Sequence, residues 1–247
     1  MNWRFDYEFM RHAMLVVAGH RFWMLPFATL LWLVFKYVTA IDEPSNVVGP
    51  GSVQGTLIGL PLTALAVFFG MRIIAGEIDD RSLEIAYTVP GGCERLWFAK
   101  LMSVFLILLF TEAMLATAVY FFFTPFPLGA LYGALQAACF YLVLSMAFGA
   151  LFRNETAALI GTIAVLALNA IITDFGDNQM RFLPFFNPYV FMDASNATNV
   201  VAGGFTSPAE LLAWTIQNRI AMLLLMAAIL SLAFMRSNRR ETMLDGM

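Results

Sequence analysis

Long apolar stretches separated by short polar ones dominate the chain. A helix needs about 20 predominantly apolar residues to cross a hydrocarbon layer of about 30 Å, because no backbone polar group can be left unpaired there. Six runs meet that length or come close: Phe22–Ala40, about Thr56–Ala75, about Trp97–Phe123, Leu128–Phe152, Ala157–Thr173, and one ending at Met235. Pro125 and Pro127 separate the third from the fourth, and Glu155 and Asp174 bound the fifth. Ser207-Pro208-Ala209-Glu210 reads as a capping box, so the sixth helix is predicted to begin near Pro208. At about 1.5 Å per residue that helix is longer than the layer, and its first turns stand outside it. The expected fold is all-α with six spans.

Two polar stretches have patterns of their own. Before the first run, Trp3, Phe5, Phe9, Met10, Met14 and Val17 mix with Arg4, Asp6, Glu8, Arg11 and His12 at roughly helical spacing. Residues 1–21 therefore suit an amphipathic helix lying at the membrane surface. Its charges and the length of the apolar run behind it argue for a retained span rather than a cleaved leader. Between the second and third runs, Leu83, Ala86, Tyr87 and Pro90 fall at i, i+3, i+4, i+7 among Asp79, Asp80, Arg81 and Glu84. That predicts a short amphipathic helix within residues 76–96. Pro90-Gly91-Gly92 stops it, and a new helix opens with Glu94 in its first turn.

Composition sharpens the picture. Of 247 residues, 60% are hydrophobic and only 13% are charged, against about 25% charged in soluble domains. The chain is read as one polytopic transmembrane unit, 1–247. A net charge of −3 and no basic face exclude a nucleic-acid partner. Of 14 Lys and Arg, eleven fall on one side of the six-span arrangement: Arg4, Arg11, Arg21, Arg72, Arg81, Arg95, Lys100, Arg153, Arg236, Arg239 and Arg240. The other side has Arg181 and Arg219, and Lys36 lies near the outer end of the first span. The positive-inside rule then places both termini in the cytoplasm, and an even span count agrees in putting them on one side.

No phosphate-binding Gly-x4-Gly-Lys-Ser/Thr, Gly-x-Ser-x-Gly or His-Glu-x-x-His occurs, and the two histidines, His12 and His20, are both near the N-terminus. The 15 methionines are scattered as gap-fillers rather than grouped as a soft-metal path. No catalytic centre is legible. Polar residues inside spans are costly and so informative. Glu112, Gln136 and Asn169 lie near the middle of the third, fourth and fifth spans. They either line a translocation path or make interhelical hydrogen bonds, and Glu112 could serve as the coupling carboxylate of a motor-independent transporter or channel. Pro26 and Pro61 are expected to kink the first two spans. The segment 174–207 carries a dense aromatic stretch from Phe182 to Phe191, which suits an interfacial or re-entrant element.

The 76–96 segment resembles the signature of ABC-2 type transporter permeases. There a Glu leaves the second span, a Gly-Thr-hydrophobic-Glu group follows, then a Pro with a small polar pair, and a Lys enters the third span. In this chain those positions read Glu77, Ser82-Leu83-Glu84, Pro90 and Lys100. Arg81 stands where the family usually has Gly, and Gly91-Gly92 where a hydrophobic residue and Ser are common. The interfacial helix, six spans, internal termini and long external segment are family traits as well. The resemblance implies a permease dimer, with a second copy or a paralogue, in the bacterial cytoplasmic (inner) membrane. Two cytoplasmic ATPase subunits would hold ATP and Mg, the permease binding no cofactor itself. The short cytoplasmic helix would dock into the ATPase through a ridge of Leu83, Ala86 and Tyr87, stopped by Pro90 and oriented by Glu77, Glu84 and Lys100. The family mostly exports, and the scarcity of charge favours an amphiphilic or hydrophobic cargo. The competing reading of the same segment is a solvated loop with a membrane-surface helix.

Overall fold

The computed structural model describes residues 7–19, 24–42, 48–80, 82, 84, 87, 92–174, 181–190 and 208–239. Among these residues the fold is entirely helical. Among the described residues seven helices of three turns or more follow one another: α1 Tyr7–Ala18, α2 Met24–Asp42, α3 Pro50–Asp79, α4 Cys93–Phe122, α5 Leu128–Phe152, α6 Glu155–Asp174 and α7 Pro208–Ser237. Five of them, α3 to α7, are long and apolar enough to cross a membrane, as in a polytopic membrane protein, and α2 contributes a shorter apolar stretch, Met24–Thr39.

Helix boundaries follow local chemistry. α5 spans the residues its apolar run predicts, bounded by Pro127 before it and the left-handed Arg153 (φ 56°) after it. α4 starts four residues earlier than its run, behind Gly92, whose φ of 85° is disfavoured for a side chain. α6 is capped by Asn154, whose Oδ1 accepts the Ala157 N–H at 2.9 Å. α7 opens at Pro208 with Glu210 in its first turn, although Ser207 lies outside the described residues.

α3 differs most from expectation. It begins at Pro50 rather than near Thr56, and Val53–Leu57 winds as a π-helix. Ile58 N–H closes the wider turn on Val53 O at 3.1 Å, and three residues on, Pro61 has no N–H to donate to Leu57 O. The bulge needs Gly59, because a Cβ there would stand 2.1 Å from Gln54 O. Its consequence is to turn the Gln54 side chain into the bundle, where it is 5% exposed.

α3 and α5 form the centre of the bundle, and α4, α6 and α7 pack around them. The central crossing is tight because Gly70 on α3 meets α5 without a side chain. A Cβ at that position would lie 2.6 Å from Leu142 O and 2.8 Å from Ser145 Cβ. Ser145 and Gly149, four apart on α5, make the matching small-residue face, and Ser145 Oγ donates to Val67 O at 3.1 Å. On the other side of α3, Phe69, Ile73 and Leu62 pack with Trp97, Leu101, Val104 and Leu108 of α4. α1 is seated on this core through the buried Ala13 and Val17, leaving Arg11 exposed. Trp3 and Phe5 lie outside the described residues.

Candidate functional site

The predicted coupling segment meets the bundle at the end where α3 finishes and α4 begins. Glu77 and Lys100 are both buried there, and they hold each other: Lys100 Nζ donates to Glu77 Oε1 in an ion pair and reaches Ile73 O at 3.4 Å. Ser82 Oγ donates to the second Glu77 oxygen, and Ser82 N–H to Glu77 O at 2.9 Å. Tyr87 Oη donates to Ser237 O of α7 at 2.6 Å, and its ring meets Trp97 of α4 edge-on at 6.2 Å. Asn238 donates to Glu94 and accepts from Cys93 Sγ at 3.2 Å. Of the coupling residues, Glu84 is exposed, whereas Glu77 and Lys100 face inward and Tyr87 is half-buried. Leu83, Ala86 and Pro90 lie outside the described residues.

The α5–α6 turn belongs to the same end. Glu155 N–H donates to Asp79 Oδ2 at 2.9 Å, Arg72 Nε lies 3.6 Å from Glu155 Oε1, and Arg236 Nε donates to Ala150 O at 3.0 Å. Polar contacts here therefore bind together the ends of α3, α4, α5, α6 and α7, with Ser82 and Tyr87 as the points where the intervening segment is tied in.

Gln136 and Asn169 each hydrogen-bond a side chain of a neighbouring helix. Asn169 Nδ2 donates to Tyr141 Oη at 2.8 Å, joining α6 to α5. Gln136 is paired with Arg219 on α7, accepting from its NH1 at 3.0 Å and donating to its backbone oxygen at 2.9 Å. Glu112 is 6% exposed, its Oε1 has no hydrogen-bond partner among the described residues, and Cys139 of α5 lies within electrostatic reach. Two of the three are thus interhelical ties, and the third is a buried carboxyl with spare acceptor capacity.

Arg219 and Gln54 were not legible as site residues. An arginine one-third of the way along an apolar helix was the available signal; nothing in the run around Gln54 marks a π turn. The described part of the aromatic segment, 181–190, folds onto them rather than away. Phe186 is fully buried beside Leu211 and Trp214, Phe185 lies 5.4 Å from the Tyr141 ring, and Asn187 Nδ2 donates to Gly51 O at 2.8 Å. Asn196-Ala197-Thr198, which matches a glycosylation sequon, lies outside the described residues.

Two apolar grooves flank α2. One of about 400 Å³ lies against α3 and is lined by Leu25, Trp32, Pro61 and Phe68; another of about 480 Å³ lies against α4 and is lined by Leu30, Phe110, Met114 and Phe121. Among the described residues no three His, Cys, Asp or Glu side chains gather as a metal set. The chain matches no protein-family model, no curated protein and no solved structure.

Proposed function

We propose that this chain is the transmembrane permease subunit of an ATP-driven transporter of the ABC-2 type. In this reading α2 is the first of six spans, since 19 residues cover about 28 Å. α1 lies at the cytoplasmic surface, both termini are cytoplasmic, and the membrane is the bacterial inner membrane. The permease works as a dimer with a second copy or a paralogue. Two ATPase subunits bind ATP and Mg, and this chain has no catalytic role.

One observation carries the reading beyond the motif. The segment between α3 and α4 is tied to three helices at once: Ser82 to Glu77 on α3, Tyr87 to Trp97 on α4, and Tyr87 to Ser237 at the end of α7. A force applied to it is delivered to the bundle rather than absorbed by a slack loop, which is what coupling to a soluble motor requires. Glu77 and Lys100 then act as the internal brace of the lever, while exposed Glu84 is free to meet the ATPase. The apolar grooves beside α2 favour a hydrophobic or amphiphilic cargo, moved outward by alternating access.

The test is retention of the motor. Replacing Leu83 and Glu84 together with Lys is expected to strip a co-purifying ATPase subunit from the detergent-solubilised complex. The melting temperature of the permease itself should stay the same, because Glu84 is exposed. If no ATPase ever accompanies the unaltered chain, the reading is wrong.

A second reading, a motor-independent transporter or channel, is favoured by the partnerless oxygen of Glu112 alone. Glu112→Gln keeps the shape and removes the titratable group. Under the permease reading, transport in vesicles should change less than about twofold; a proton-coupled carrier should lose on the order of tenfold or more.

A further inference from the structure

Arg219 occupies a distinctive depth. It follows Pro208 by eleven residues, and the sixteen residues Ile220–Met235, polar only at Ser231, separate it from Arg236. At 1.5 Å per residue that apolar stretch is about 24 Å long, so the two arginines stand near opposite boundaries of a hydrocarbon layer about 30 Å thick. Arg236 caps backbone carbonyls at its end, through Ala150 O at 3.0 Å and Leu151 O at 3.3 Å. Arg219 is held differently.

Its NH1 donates to Gln136 Oε1 at 3.0 Å, and its Cζ lies 5.6 Å from the centre of the Tyr132 ring. NH2 fills the space Gly133 leaves, only 2.7 Å from where a Cβ would be. Among the described residues no carboxylate pairs with this guanidinium; its partners are a neutral amide and an aromatic face. Gln54, turned inward by the π segment of α3, lies against the same glycine, its Oε1 2.5 Å from that Cβ position. Gln54 Nε2 donates to Phe186 O at 3.0 Å, which orients the amide so that its oxygen is the atom on the Arg219 side. That oxygen is buried and has no hydrogen-bond partner. A cation without a counter-ion thus lies against the same glycine as an acceptor without a donor.

One ligand chemistry answers both: an anionic oxygen for the guanidinium, carried beside an O–H or N–H that Gln54 Oε1 can accept. We propose that Arg219, Gln136 and Gln54 form a headgroup site for a phosphate ester with a neighbouring hydroxyl or ammonium, as in phosphatidylglycerol or phosphatidylethanolamine. The half-exposed Tyr132 and the nearby Trp214 belong to the aromatic zone where headgroups lie, and exposed Ile216, Ile220 and Leu223 of α7 offer a surface for acyl chains. The site holds whatever powers the protein, so its failure would leave the transport reading untouched.

The full chain, reconstituted in phosphatidylcholine vesicles with a minor share of phosphatidylglycerol, supplies the test. Phosphatidylcholine has the phosphate but no donor for Gln54. Lipid retained on the purified protein, counted by native mass spectrometry, should be enriched in phosphatidylglycerol by roughly tenfold, the effect of one hydrogen bond to an otherwise unsatisfied buried acceptor. Arg219→Gln should abolish the enrichment. Gln54→Glu should abolish it too, by giving Arg219 an internal counter-ion in place of the Gln54–Phe186 hydrogen bond; Arg239→Gln should keep it. Displacement by excess glycerol 3-phosphate would extend the site to soluble phosphate esters, and resistance would restrict it to membrane lipid. Enrichment that is absent in the unaltered chain, or intact in Gln54→Glu, overturns the proposal.

Discussion

Lys100→Met is expected to destabilise the protein by about 3–5 kcal/mol, because it leaves the Glu77 carboxylate buried without its cation. Lys100 is 1% exposed and Glu77 8%, so water cannot take over the lost partner without the end of the bundle opening. Ser82 Oγ and Lys100 Nζ together satisfy both Glu77 oxygens, and one donor is not enough for a full charge. The double replacement Glu77→Gln with Lys100→Met removes both charges at similar volume. It should recover most of the loss, since a buried ion pair exchanged for neutral, well-packed groups is often close to neutral in stability. Denaturant titration of the detergent-solubilised chain separates the cases. A single-variant loss under about 1 kcal/mol would mean that the pair is solvated and contributes as little as a surface salt bridge.

Gly70→Leu is expected to be as damaging for a different reason. The first atom of any side chain there would stand 2.6 Å from Leu142 O and 2.8 Å from Ser145 Cβ, both on the facing helix. Neither is the end of a flexible side chain, so α3 and α5 must separate. Gly70→Ala should cost about 1–3 kcal/mol by overpacking, and Gly70→Leu more, with loss of the Ser145–Val67 hydrogen bond. Gly149→Ala on the same crossing is the internal comparison. Its Cβ would meet Ala75 at 3.4 Å, ordinary contact at its tight limit. Against this small crowding, alanine gains up to about 1 kcal/mol of helix propensity, so the net change should stay within about 1 kcal/mol. The thermal unfolding midpoint of the three variants orders them; equal midpoints for Gly70→Leu and Gly149→Ala would contradict the close approach.

Some of the candidate site was readable in advance and some was not. Tyr87 stands out by its helical spacing, and Glu77 and Lys100 by the resemblance, which implies that the two charges orient the docking helix; in the structure both are buried and bonded to each other. The residues lie 23 apart with Pro90-Gly91-Gly92 between them, so their meeting depends on how α4 docks beside α3. Gln136 was marked by its polarity in an apolar run; its partner Arg219 lies 83 residues away on α7. Gln54 lies just before the predicted start of the second span near Thr56, and it joins the site because the helix runs back to Pro50 through a π segment at Val53–Leu57.

The existence of the helices, most of their ends and the membrane-like character of the chain follow from local properties: the length of apolar runs, prolines and glycines at their edges, and caps such as Asn154. Each acts within a turn or two of its own position, so one-dimensional order is enough to read it. The partners of Glu77, Gln54, Gln136 and Arg219 are of another kind. α5 is apolar all round, so its pattern does not say which face meets α3. That choice is made by the fit of Gly70 against Ser145, and with it the rotation of each helix and the identity of every buried polar contact, because close packing across the bundle is a property of paired surfaces and not of either strip of sequence alone.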